Sequence, residues 1–181
     1  MLLPTTSLPP ASTLPTLPSS TQSTILSLLF EPSPSLHTTL SPLLQTPHPS
    51  YSSLISSIKS HLLSLRTTDP TLLLSILSSH PRLGAKKVES AQSQAEQAKL
   101  QEGAKEEGEE LARLNEEYER VFPGLRFVVW VNGRGRGEIM GVMRERIDGG
   151  SWEGERDGGI EVSLSSYCFF PLSFLLVSGF F

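Results

Sequence analysis

The sequence predicts a mostly helical single domain, and three observations carry that prediction. Apolar residues recur at three- and four-residue spacing over long stretches, helix-capping residues stand directly ahead of them, and prolines close them off. The chain has 181 residues, which fits one domain with a buried core.

The elements follow in order. Residues 1–20 are Pro, Ser, Thr and Leu, with prolines at 4, 9, 10, 15 and 18. Proline lacks the amide donor and fixes φ, so this stretch is predicted to be a disordered leader. From Ser23 the pattern changes. Ile25, Leu26, Leu28, Leu29 and Phe30 form a short apolar helix that Pro32 and Pro34 end, and Leu36, Leu40, Leu43 and Leu44 mark a second. Tyr51, Leu54, Ile55, Ile58, Leu62, Leu63 and Leu65 lie on one face of an amphipathic helix with Ser50 as its N-cap. Asp69 caps the next helix, Pro70 takes its first position, and Leu72, Leu73, Ile76 and Leu77 point inward. The residue before Pro81 disfavours helical geometry, so that helix ends near Ser79 and leaves His80 at its mouth.

Residues 85–121 are rich in Glu and Lys, most simply a solvated face. Ser93 and Glu96 have capping-box spacing, and Leu100, Ala104, Leu111, Leu114, Tyr118 and Val121 give an apolar stripe. Gly103 and Gly108 predict a break in its middle. Phe127-Val128-Val129-Trp130-Val131, closed by Asn132-Gly133, reads as a strand by propensity. Residues 138–147 read as a helix again, and Trp152 reads as a local packing anchor.

Composition excludes several functions. The net charge of −4 gives no basic footprint for nucleic acid. One cysteine, Cys168, allows no internal disulfide and fits a reducing compartment, and four scattered histidines give no zinc spacing. Gly133-Arg134-Gly135-Arg136-Gly137 has the wrong spacing for a dinucleotide fingerprint. The first residues lack the positive charge of a secretory or mitochondrial leader, so the cytoplasm is the expected compartment. His80 carries the clearest chemistry, because an unperturbed imidazole titrates near neutrality and Glu96 supplies a carboxylate downstream. His37, His48 and His61 lack such a context and read as surface or loop residues.

Four motifs stand in order and at suitable distances: His80-Pro81-Arg82-Leu83-Gly84, Ser93-x-x-Glu96-Gln97, Leu114-Asn115-x-x-Tyr118, and Phe127-Val128-Val129 ahead of Gly133-Arg134. From roughly Ser23 to Ile160 the chain resembles the 2-oxo-4-hydroxy-4-carboxy-5-ureidoimidazoline (OHCU) decarboxylases of urate breakdown, in a fungal-type version. The resemblance implies an all-α, single-domain helical bundle over residues 21–161, which turns the strand at 127–131 into an extended or helix-flanking segment. It implies decarboxylation of OHCU to (S)-allantoin with no cofactor and no metal, and relatives suggest a homodimer. Carried over by position, His80 is the catalytic histidine and Glu96 its carboxylate partner. Pro81, Ser93, Gln94, Ala95, Gln97 and the backbone of Phe127, Val128, Val129, Trp130 and Val131 contact the substrate. Family members often place Arg directly after that segment, where this chain has Asn132; Arg134, two residues on, is the candidate to supply that charge and bind the substrate.

Beyond Glu161 the resemblance stops, and residues 162–181 form an aberrant apolar tail. A membrane anchor needs about 20 apolar residues, and Ser165, Ser166, Pro171, Ser173 and Ser178 interrupt this one, so no membrane partner is expected. Val162-Ser163 can be encoded as a splice-donor sequence, and translated intron is the favoured origin of the tail. A peroxisomal signal at a different C-terminus would then be invisible. Two other functions compete with the decarboxylase: an inactive truncated paralogue that serves as a helical interaction module, and a tail-anchored membrane protein.

Overall fold

The computed structural model describes residues 8–31, 33–84, 105–131 and 133–168, and among them it is helical with no strand. Its α-helices are α1 (Ser19–Leu29), α2 (Pro34–Leu40), α3 (Tyr51–Thr68), α4 (Pro70–Leu77), α5 (Lys105–Val121), α6 (Arg136–Gly149) and α7 (Trp152–Cys168), with 3-10 turns at Ala11–Thr16 and Ser41–Gln45. The all-helical, single-domain class is therefore the observed one.

Local chemistry sets the helix starts. The hydroxyls of Ser33 and Ser50 accept the amides of Leu36 and Ser53 at 3.3 and 3.2 Å, and Asp69 Oδ1 accepts Leu72 N at 2.9 Å. Pro34 and Pro70 occupy first-turn positions, where a missing amide costs nothing. From α3 the face of Leu54, Ile58, Leu62 and Leu65 turns inward, as its spacing predicts. Helix α3 packs on α4 and α7, and α5 packs on α6.

Residues 8–20 are not the disordered leader that their proline content predicts. Residues 1–7 lie outside the described residues, but Ala11–Thr16 is a 3-10 turn with Ala11 and Leu14 buried. A 3-10 turn accommodates Pro15 because few of its amides need internal partners. Gln22, itself buried, donates to Leu14 O at 2.7 Å and accepts from Gln45 Nε2 at 2.8 Å, while Tyr51 Oη donates to Pro9 O at 2.9 Å. Full burial of Leu14 alone contributes about 2 kcal/mol.

Other boundaries also move. Helix α1 begins at Ser19, ahead of its apolar run. Gly108 lies inside α5 without interrupting it, Val121 is exposed, and Phe122 takes the inward position at that end. The Ser93 cap and Gly103 fall outside the described residues. His48 is buried rather than superficial, with Nε2 3.0 Å from Leu43 O, and the ring of His37 sits between Ser23 Oγ and Ser27 Oγ at 3.1 and 3.2 Å.

Helix α7 has no forecast in the sequence, since Gly154, Gly158 and Gly159 each weaken a helix by up to about 1 kcal/mol relative to alanine. Tertiary contacts offset that cost: Ile160 and Leu164 are buried, and Gly159 faces Leu77 and Val128. The helix passes through Glu161 and Val162 without a break, so the change in composition there is no structural boundary up to Cys168. Residues 169–181 of the apolar tail lie outside the described residues, and no helix among those described is long and apolar enough to cross a membrane.

Candidate active site

His80 emerges directly after α4, where Ser79 N still bonds Ile76 O at 3.2 Å. The loop it opens is tied to α5 at three points. Arg82 grips Glu119 with two hydrogen bonds of 2.7 Å, Asn115 Nδ2 donates to Leu83 O at 3.0 Å, and Gly84 lies against Leu111. Asn115 is buried and also donates to Leu111 O at 2.8 Å, so it fastens the loop to its own helix. The His80–Gly84 and Leu114–Tyr118 motifs thus dock on each other, although some 30 residues separate them in sequence.

Gly84 is required at its position. Its φ is +80°, and a Cβ there would stand 2.7 Å from Cδ2 of the buried Leu111, so that side chain would have to shift. The left-handed conformation costs a non-glycine residue about 1–2 kcal/mol before the clash is counted. Gly84→Ala is therefore expected to destabilise the chain by about 2–3 kcal/mol, read as a lower urea midpoint; an unchanged midpoint would show that the loop yields freely.

Glu119 is shared. Besides Arg82 it accepts from Arg126 Nη1, and Arg126 Nε reaches back to Ser78 O at 3.4 Å, at the end of α4. Burial pushes the Glu119 carboxyl up, but the hydrogen bonds from Arg82 and Arg126 outweigh it and hold the group below its ordinary range. Two guanidinium groups thus converge on one carboxylate and tie the loop after α4 to α5.

The segment 127–131 is neither strand nor helix, which overturns the strand that propensity predicts and agrees with the helix-flanking segment that the resemblance implies. Phe127 and Val131 are buried, while Val128, Val129 and Trp130 are part-exposed. Backbone amides and carbonyls with no sheet need other partners. Arg146 Nη1 donates to Val128 O at 2.9 Å, and Arg134 folds back onto Val131 O at 3.3 Å and onto Trp130 O. Arg134 is thus engaged with the segment's own carbonyls. Behind the segment Tyr118 Oη donates to Glu155 Oε2 at 2.5 Å, and Arg146 pairs with the same carboxylate while its guanidinium stacks 4.6 Å over the Phe127 ring. The desolvated phenol of Tyr118, further held by Glu155, has its pKa raised. Neither Arg146 nor Glu155 stands out in the sequence; a buried acid in a glycine-rich helix gives no periodic signal.

Among the described residues the imidazole of His80 has one hydrogen bond, 2.8 Å between Nε2 and Ser163 Oγ on α7. Ser163 in turn donates to Gly159 O at 2.7 Å, and Gly159 faces Leu77 and Val128. Through that turn of α7 the end of α4 and the segment 127–131 come together. Burial lowers the pKa of His80, and the carboxylate of Glu31, from the turn between α1 and α2, opposes part of that shift. Glu96, with Ser93, Gln94, Ala95 and Gln97, lies outside the described residues, whereas His80, Pro81, the five residues 127–131 and Arg134 lie within them. Trp152 is a packing residue, with Nε1 bonded to Pro123 O at 3.1 Å and Arg156 over its ring.

The fold and this arrangement define a small all-helical domain with a fixed histidine at a helix mouth. The family model described as OHCU decarboxylase matches residues 15–162, and the chain belongs to that family. A solved structure described as (S)-allantoin synthase is similar at a TM-score of 0.59 and 17% identity, over 93% of this chain and 54% of the other. The chain thus spans about half the length of that protein, and at this identity the likeness is one of fold. No curated protein sequence matches.

Proposed function

We propose that this chain is a fungal-type carboxy-lyase that converts OHCU to (S)-allantoin without a cofactor, with His80 as the acid–base group and Glu96 as its partner. The observation that carries the reading is the fixed position of His80: a loop cross-tied to α5 holds a part-buried imidazole against Ser163 of α7, within a domain of the OHCU decarboxylase family.

The chemistry suits such a site. As the bond from the ring carbon to its carboxylate breaks, the electron pair stays on the substrate and spreads into the adjacent carbonyl and ring nitrogens, and CO2 leaves. The protein must hold the carboxylate out of the ring plane, stabilise the developing charge with fixed donors, and deliver one proton to one face. His80 supplies the acid–base group, and Glu96 stabilises its charged form or binds ureido nitrogens. Backbone groups of 127–131 and the amide of Gln97 supply neutral hydrogen bonds.

The test is to add the purified chain to freshly generated product of urate oxidation and to follow allantoin by circular dichroism. Rapid appearance of the circular-dichroism signal of (S)-allantoin, of one sign only, is the expected result. Racemic allantoin at the rate of the protein-free control would overturn the reading.

A further inference from the structure

We propose that Ser163 is a positioning residue that holds His80 as its Nε2–H tautomer and thereby leaves Nδ1 as the nitrogen that exchanges a proton with the substrate; the second half rests on the function proposed above.

Hydrogen-bond accounting carries the first half. A serine hydroxyl has one proton to give and two lone pairs to receive. Ser163 gives its proton to Gly159 O, four residues back in α7, at 2.7 Å, the usual back-bond of a helical serine. Its contact with His80 Nε2 at 2.8 Å can then only be one in which Oγ accepts and the ring nitrogen donates. With a lone pair on Nε2, two acceptors would compete for one proton, and one of the two short contacts would set lone pair against lone pair. The neutral ring therefore carries its proton on Nε2. Among the described residues Nδ1 has no hydrogen bond, so its lone pair is the basic site, and Glu31 lies where its charge favours the imidazolium formed when Nδ1 is protonated. An acid–base histidine needs its other nitrogen anchored in this way, because a free imidazole divides between two tautomers and many orientations. Ser163 stands one residue beyond the matched stretch 15–162, so the family match does not assign it.

The test uses the full chain labelled with 15N at histidine. The ring resonances of His80 are identified by their loss in His80→Gln, and the tautomer is read from 15N–1H correlations at a pH where the ring is neutral. The expected spectrum shows His80 protonated at Nε2. Ser163→Ala should give a mixture of tautomers, and Ser163→Thr, whose hydroxyl makes the same back-bond, should restore the single form. In the decarboxylation assay kcat/KM should fall roughly tenfold in Ser163→Ala, the scale of one lost hydrogen bond, and recover in Ser163→Thr. An Nδ1–H tautomer in the parent chain, or the same single tautomer in Ser163→Ala, would overturn the proposal. A clean Nε2–H spectrum in a chain that leaves OHCU untouched would instead overturn the proposed function and leave the role of Ser163 in the tautomer standing.

Discussion

His80→Asn is expected to slow formation of (S)-allantoin by about 100- to 10,000-fold, the span that a positioned acid–base group contributes, while the fold survives. Asparagine is smaller than histidine and keeps a donor, so Ser163 retains an N–H partner or bonds to Gly159 alone. The stability cost should be on the order of 1 kcal/mol, that of one hydrogen bond. Chirality and rate together decide the outcome: a mutant that still makes the (S) enantiomer at the parental rate would remove His80 from the chemistry. The same residue gives a pH signature. Burial lowers its pKa from the ordinary value of about 6.5, with Glu31 opposing. Below that ordinary value the unfolded chain takes up a proton that the folded chain resists, so the stability due to neutral His80 is present above about pH 6.5 and is lost as the pH falls toward its folded pKa. His80→Asn should flatten that part of the acid slope in urea titrations. In the parent chain the same lowered pKa should place the acid limb of the rate profile below pH 6.5, since the neutral ring persists there, and His80→Asn should lose that limb.

The features legible in the sequence were those decided within a few residues. Ser50 and Asp69-Pro70 announce helix starts because the cap and the first turn are local chemistry, and the same Pro81 that ends α4 places His80 at its mouth. Features decided across the fold were hidden. Proline content made residues 8–20 look unstructured, yet burial of Leu14 and the side chain of Gln22 hold them on the core. The apolar run 127–131 looks like a strand because burial alone demands apolar residues; guanidinium groups of Arg134 and Arg146, rather than a neighbouring strand, satisfy its carbonyls. The glycines of α7 concealed a helix that the burial of Ile160 and Leu164 holds, and the shift to apolar composition after Glu161 concealed Ser163, which touches His80. Within the candidate site the histidine and its loop could be read from the chain, whereas the residues that hold them in place could not.

Glu155→Ala is expected to destabilise the chain by about 3–5 kcal/mol, the usual cost of removing one member of a buried ion pair. For a chain of this size that lowers the unfolding temperature by about 10 °C. The magnitude follows from what the carboxylate holds. Glu155 is buried, accepts the Tyr118 hydroxyl at 2.5 Å, and takes Arg146 Nε at 3.0 and 2.8 Å on its two oxygens. Removing it strands a guanidinium whose side chain is only 23% exposed and a phenol inside the core. Glu155→Gln keeps the shape and one acceptor, so its cost should be smaller, about 1–3 kcal/mol. Arg66→Ala provides the contrast: Arg66 and Asp157 are each 38% exposed, and such a pair is worth less than about 1 kcal/mol. The consequence reaches the site, because the same guanidinium that Glu155 anchors donates to Val128 O at 2.9 Å and covers the Phe127 ring. Once Arg146 is freed, the segment 127–131 loses the partner of that carbonyl, so activity at temperatures well below unfolding should fall in Glu155→Ala but not in Arg66→Ala. Equal urea midpoints for Glu155→Ala and Arg66→Ala would show that the Tyr118–Glu155–Arg146 cluster does not hold this end of the bundle together.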